Sequence, residues 1–222
     1  KERPTFDEII YHLKTNSEFI NENIDKEEYL NYINFIEKAL STKNDLQVDD
    51  FIKTTNKTFR KVHIDFKNIQ DPFKQNFLIN MGSLDLQKYE RQQKIGEGGF
   101  GVVYQLREKD EGTLYAAKIS KLEIDQSRND TIIDLSREIN IISQLNHPTI
   151  LSYIGFSPIN FKNKQKPVIV TEYASNGSLD KILEKERKGF GIHEWDDTKK
   201  LINIYGIASG LSYLHRQNII HR

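Results

Sequence analysis

The chain has 222 residues, 37% hydrophobic and 29% charged, enough for one or two globular domains. Lys+Arg and Asp+Glu both number 32, so the formal net charge is zero and nothing global argues for nucleic acid or an anionic membrane surface as a partner. Cysteine is absent, which excludes disulfides and thiolate metal sites and fits a cytoplasmic protein, and no apolar run approaches the roughly 20 residues of a membrane-spanning helix.

In chain order, residues 5–14 read as a short helix. Thr5 and Glu8 match a capping box, and Phe6, Ile9, Ile10 and Leu13 line one face. A second helix is expected over about 25–40, capped by Asp25 and Glu28, with Tyr29, Ile33, Ile36 and Leu40 as its apolar stripe. From Ser41 to about Leu84 single aromatics alternate with Asn, Lys, Asp and Thr, a linker with some local structure, too aromatic for full disorder. From Tyr89 the pattern becomes strand, glycine turn, strand, turn, strand. A helix is expected from about Asp130 to Asn146, ended by His147-Pro148 because a residue before proline avoids helical geometry. Strands follow at Ile150–Phe156 and Val168–Tyr173, with the polar stretch Asn160–Lys166 as the loop between them. Asn176-Gly177 reads as a turn, Leu179–Lys185 as a short helix. Asp196 or Asp197 caps a last helix to about His215, with Leu201, Ile204, Ala208, Leu211 and Leu214 on one face.

The chemistry concentrates between Ile95 and Lys118. Residues 95–104 read I-G-E-G-G-F-G-V-V-Y, so Gly96, Gly98 and Gly101 give G-x-G-x-x-G. That pattern alone is weak. In a dinucleotide-binding fold a helix follows the glycines. Here Val102-Val103-Tyr104-Gln105-Leu106 follows, β-branched and aromatic, which reads as a strand. Asp110-Glu111-Gly112 supplies the next turn. The glycines therefore sit at the tip of a β-hairpin, where missing Cβ atoms let backbone N–H groups approach phosphates. No G-K-S/T follows, so this is not a P-loop. Lys118 lies on the next apolar run, Tyr115-Ala-Ala-Lys-Ile119, and its charge needs a partner on the inner face.

Residues 89–222 resemble the first half of a eukaryotic protein kinase domain, most like the tyrosine-kinase-like group. Gly96–Val103 resembles the glycine-rich loop, and Ala116-Ala117-Lys118 the strand lysine that holds the α- and β-phosphates of ATP. Glu138, in S-R-E-I-N-I-I, resembles the partner of that lysine on the αC helix. His147-Pro-Thr-Ile150 follows as in the family. Val170-Thr-Glu-Tyr-Ala174 resembles the hinge, with Thr171 as gatekeeper. Gly210-Leu-Ser-Tyr-Leu-His215 and Ile219-Ile-His-Arg222 resemble the segments leading into the catalytic loop. The resemblance implies an α+β fold: a kinase small lobe of five antiparallel strands plus αC, the first helices of the large lobe, and a helical N-terminal segment. It implies ATP as ligand, held by Ile95, Gly96, Glu97, Gly98, Gly99, Phe100, Gly101, Val103, Ala116, Lys118, Glu138, Thr171, Glu172 and Ala174. Val103 and Ala116 would pack on the adenine faces, backbone groups of Glu172 and Ala174 would bond its edge, and Phe100 would shield the phosphates. Protein is the implied substrate, its serine and threonine hydroxyls favoured over tyrosine.

In the family the catalytic aspartate follows His-Arg, so here it would follow Arg222. No catalytic residue and no Mg2+ ligand is expected within residues 1–222; magnesium belongs to the whole protein. The segment alone is expected to bind nucleotide without phosphoryl transfer. A non-catalytic kinase-like module that binds nucleotide or a partner is the alternative. Arg3-Pro4-Thr5-Phe6 resembles the start of a kinase domain's last helix. Residues 1–40 are therefore expected to end an upstream, tandem kinase domain, with 41–88 as linker and 89–222 as the second domain. The apolar face of helix 197–215, whose family partners come later, is expected to be partly exposed. His215 and His221 are read as structural, Trp195 as a packing anchor, and Glu184–Lys188 as a solvated helix end.

Overall fold

A computed structural model describes residues 3–41, 84–123, 139, 141–190 and 195–220. They fall into two compact units. One holds the described residues of Arg60–Asn146 and Leu151–Ser175; the other holds those of Lys1–Phe59 and Asn176–Arg222 together with His147–Ile150.

The first unit is a sheet of five antiparallel strands: β1 (Tyr89–Glu97), β2 (Gly101–Glu108), β3 (Leu114–Ser120), β4 (Tyr153–Ser157) and β5 (Val168–Glu172), in the order β1-β2-β3-β5-β4. A 3-10 turn, Leu86–Lys88, capped by the Asp85 side chain, leads into β1. Gly112, at φ +74°, closes the β2–β3 turn, where a side chain would be strained. β1 shifts register twice, between Arg91 and Lys94 and between Lys94 and Gly96, so the strand bends as it approaches the glycine tip.

Alternation divides this sheet into two faces. On one, Leu106, Ala117, Ile119, Val168 and Val170 pack with Leu86 and Tyr89. On the other, Phe156 and Ile169 pack with Ile139, a residue in helical conformation. The helix expected over 130–146 is described only near its end, at 139 and 141–142, and the chain has left helical geometry before His147-Pro148.

The strand expected from Ile150 to Phe156 begins later, at Tyr153, and runs to Ser157. The reason is local. The Thr149 N–H donates to His147 Nδ1 at 3.2 Å, and the Ile150 N–H to the His147 carbonyl at 3.0 Å. These bonds hold residues 147–150 in a turn that competes with the strand.

The second unit contains α1 (Phe6–Thr15), α2 (Lys26–Ser41), α3 (Leu179–Arg187) and α4 (Asp197–Arg216). The capping box of α1 is present in both directions between Thr5 and Glu8. Asp25 Oδ1 accepts from the Glu28 N–H at 3.0 Å, and Asp196 Oδ1 from the Lys199 N–H at 2.8 Å, so the expected caps of α2 and α4 form. α3 runs two residues past its expected end, and α4 one.

Leu13, Ile24, Tyr29, Ile33 and Ile36 form one buried core with Leu201, Tyr205 and Ala208 of α4. Of the apolar face expected to be partly exposed, Leu201 and Ala208 are covered by α1 and α2, while Ile204 stays open. Ile204 (52%) and Ile207 (51%) are exposed and take no part in this core. Polar bonds lock the same contact. Asp7 accepts from Ser212 Oγ at 2.6 Å and from Arg216 at 3.0 Å, and the Asp25 N–H donates to Thr198 Oγ1 at 2.8 Å. His215 packs edge-on against Phe6 at 5.0 Å, a structural role as expected. Trp195 is half-buried and its indole N–H donates to Glu186 at 3.2 Å. His221 lies outside the described residues. Among the described residues no helix is long and apolar enough to cross a membrane.

Candidate nucleotide site on the glycine hairpin

Antiparallel partners share a face of the sheet. Val103 pairs with Lys118, and Lys118 pairs in turn with Ile169 of β5. Ala116 pairs with Thr171, which pairs with Tyr153 of β4. The register therefore lays Val103, Ala116, Lys118 and Thr171 on one face, opposite Ala117, Ile119, Val168 and Val170. Residues up to 68 positions apart in sequence are brought into one surface, and all four are half-buried.

Above this surface the β1–β2 hairpin turns through residues 98–100. The Gly98 N–H donates to the Gly101 carbonyl at 2.9 Å, closing the tip. Gly101 is where glycine is sterically required: a Cβ there would lie 2.8 Å from the Ile119 carbonyl oxygen and 3.2 Å from Lys118 Cγ. A Cβ on Gly98 or Gly99 would meet nothing within 4 Å, so those positions leave open space and bare backbone above the sheet. Gly96 sits opposite Val103 and Ile95 is half-buried beside it. Phe100 is 83% exposed at the tip, and its carbonyl accepts from the Lys121 N–H at 3.2 Å.

Glu97 is more constrained than a loop glutamate read from sequence. Its carboxylate accepts from Lys121 Nζ at 2.8 Å and also pairs with Lys94. The hydrogen bond from Lys121, then that from Lys94, and the charge of both hold its pKa at about 2. The pair ties the hairpin to the end of β3. The signal for it, lysines three residues before Glu97 and just past β3, is too ordinary to single out in sequence.

Thr171 sits near the end of β5, its hydroxyl donating to the Glu172 carbonyl at 3.2 Å. The Glu172 N–H donates to the Ser152 carbonyl at 2.9 Å and its carboxylate accepts from Ser152 Oγ at 3.2 Å. Of the Glu172 backbone groups expected to meet a ligand, the N–H is thus engaged with Ser152, and the carbonyl, which already accepts from Thr171, keeps one lone pair for a second donor. Ala174, beyond the strand, is exposed. Glu138, the expected partner of Lys118, lies outside the described residues. A further group was not anticipated: Tyr153, paired with Thr171, has a buried hydroxyl without a hydrogen-bond partner among the described residues, and burial raises its pKa.

The arrangement offers a cation, Lys118, beside small apolar side chains, under a hairpin whose glycines leave backbone accessible. That combination suits a ligand with a flat apolar part and an anionic part. Among the described residues there is no cluster of His, Asp or Glu able to hold a metal ion.

Residues 89–222 match the family model described as "Protein kinase domain". Curated relatives include the inhibitor of nuclear factor kappa-B kinase subunit alpha of Gallus gallus, 33% identical over 135 residues, 60% of this chain and 17% of the relative. The Aurora kinase of Saccharomyces cerevisiae is 32% identical over 141 residues, 63% of this chain and 35% of the relative. The serine/threonine-protein kinase PLK4 of Aedes aegypti is 33% identical over 137 residues, 62% of this chain and 16% of the relative. The chain thus spans well under half the length of each of these relatives.

Proposed function

The chain belongs to the protein kinase domain family, and on that premise we propose that the sheet face around Lys118 binds ATP. The whole protein, in this reading, transfers the terminal phosphoryl group to serine or threonine hydroxyls of protein substrates. The single observation that carries the nucleotide reading is the register Val103–Lys118–Ile169 with Ala116–Thr171, set beneath a hairpin whose Gly101 tolerates no side chain.

Each proposed role follows from position. Lys118 pairs with the α- and β-phosphates and with Glu138. The N–H groups of Gly99, Phe100 and Gly101 face the phosphates, Gly98 closes the tip through its own N–H and leaves space beside them, and Glu97 holds the hairpin in place through Lys94 and Lys121. Ile95, Gly96, Val103 and Ala116 border the adenine. Thr171 sets the depth of the pocket, and the Glu172 carbonyl and Ala174 N–H bond the base edge. Magnesium enters with the phosphates in the whole protein, where it would neutralise their charge. The narrower reading as a tyrosine-kinase-like member rests on the resemblance of the ordered motifs in residues 89–222, and the proposed location is cytoplasmic. The names of the relatives, a serine/threonine-protein kinase among them, support the choice of hydroxyl.

Residues 1–40 read as the end of an upstream kinase domain on the strength of R-P-T-F and its capped helix. In the structure those helices share a core with α4. The test of the activity is phosphoryl transfer by the full-length protein from labelled ATP to a mixed protein substrate, followed by phosphoamino-acid analysis. Phosphoserine and phosphothreonine are expected. Phosphotyrosine alone would overturn the specificity. No transfer, with ATP still bound, would favour a non-catalytic nucleotide-binding module.

A further inference from the structure

The sheet face opposite Lys118 carries a cavity of about 300 Å3. Its rim is cationic. Arg91 comes from β1, Lys121 from the end of β3, and Lys162, Lys164 and Lys166 from the β4–β5 loop. Among the described residues no acidic side chain lines it. Its floor is apolar and aromatic, built from Tyr104, Ile119 and Phe161. Three separate stretches of chain thus deliver positive charge to one concavity in a protein whose net charge is zero.

The rim is organised by the backbone. Asn160 Oδ1 accepts from the N–H groups of Lys162 at 2.9 Å and Lys164 at 3.2 Å, and Asn163 takes φ +56° between them. Lys166 Nζ donates to the Lys121 carbonyl at 3.1 Å, which fastens the loop to the end of β3. Arg91 lies over the Tyr104 ring, its guanidinium carbon 4.7 Å from the ring centroid. Lys121 is partly neutralised by Glu97, so Arg91 and the three loop lysines supply most of the field.

We propose that this cavity is a docking site for a phosphorylated side chain of a protein segment. Like charges gathered at one concavity repel unless an anion joins them. A phosphate monoester brings nearly two charges and three acceptor oxygens, more than a carboxylate. The volume sits at the lower bound for ligand pockets, which suits one side chain. The apolar floor takes the stem, so an aromatic ester binds better than an aliphatic one. A bilayer is disfavoured, because none of the lining residues is a large exposed apolar side chain. The site is independent of the ATP reading, since it opens on the other face.

The test titrates the full chain with phenyl phosphate, O-phospho-L-serine, an eight-residue peptide carrying one phosphotyrosine, phosphatidylserine vesicles and a short oligonucleotide, followed by amide chemical shifts. Shifts are expected to centre on Tyr104, Ile119 and residues 160–166, with phenyl phosphate and the peptide binding more tightly than phosphoserine. The double variant Lys162→Gln/Lys164→Gln is expected to weaken binding about tenfold, and raising the salt to weaken it further. The same variant keeps its melting temperature and its ATP-analogue affinity, while Lys118→Met keeps phenyl phosphate binding. Shifts confined to the Lys118 face, equal binding by wild type and the double variant, or binding only by anionic vesicles or an oligonucleotide would each overturn the proposal.

Discussion

Gly101 lies against Lys118: a Cβ on the glycine would stand 3.2 Å from Lys118 Cγ and 2.8 Å from the neighbouring Ile119 carbonyl. The last glycine of the hairpin is therefore what allows β2 to approach β3 closely enough for the lysine stem to run beneath the tip. Gly101→Ala is expected to push the strands apart and to cost about 1–3 kcal/mol, the usual range for overpacking. Gly98→Ala, with nothing within 4 Å, is expected to leave stability almost unchanged. Thermal denaturation of both variants checks the contrast, and equal melting temperatures would show that the close approach is not a constraint.

Glu97 is expected to matter more for the hairpin's motion than for stability. Its two ion pairs are solvent-exposed, and exposed pairs contribute little. Glu97→Gln should therefore leave the melting temperature within a degree or two while the amides of residues 97–101 exchange faster. With a pKa near 2, the pairs persist until the pH falls close to that value. Unaltered exchange in the variant would remove the proposed positioning role.

Asp7 couples α1 to α4. The hydrogen bond from Ser212, with that from Arg216 and its charge, lowers the Asp7 pKa. A carboxylate with a depressed folded-state pKa stabilises the fold above its unfolded value, about 3.9, and that contribution is lost as pH falls through the folded value. Asp7→Ala should cost about 1 kcal/mol at pH 7 and less at pH 2. Urea titrations at the two pH values measure this, and an equal cost at both would assign it to packing alone.

Tyr29 and Tyr205 give the opposite sign. Tyr29 is 1% exposed and donates to the Leu13 carbonyl at 3.1 Å, and its ring meets Tyr205 edge-on at 6.1 Å. Burial raises both pKa values, that of Tyr205 to about 12. Their contribution is complete below the unfolded value of about 10 and is lost as pH rises through the folded ones. Stability should fall steeply between about pH 10 and 12, and Tyr29→Phe should flatten that fall. Tyr29→Ala should cost about 3–5 kcal/mol, as for a buried aromatic. An alkaline transition unchanged in Tyr29→Phe would contradict this account.

The hairpin, its glycines and Lys118 were legible because strand propensity and turn chemistry are local: Val102–Leu106 had to be a strand, and Gly112 had to turn. The shared face of Val103, Ala116, Lys118 and Thr171 followed from alternation once the pairing was known, but pairing register is a long-range property. The start of β4 was misplaced because a histidine side chain captured the backbone at Thr149, which hydrophobic pattern does not reveal. The core of Tyr29, Ile33 and Ile36 with Leu201 and Tyr205 joins residues more than 160 positions apart, and each stripe alone says only that it needs a partner. Lysines at 162, 164 and 166 read as a polar loop. Only the fold brings Arg91 and Lys121 beside them.

The most direct test of the central claim is ATP-analogue binding to the full chain and to its Lys118→Met variant, with circular dichroism and melting temperature recorded in parallel. The account predicts that the wild-type chain binds and that the variant loses at least about tenfold in affinity while melting at the same temperature, as for removal of a charge-assisted phosphate contact. Equal affinity in the two proteins, both folded, would contradict the assignment of this sheet face as the nucleotide site.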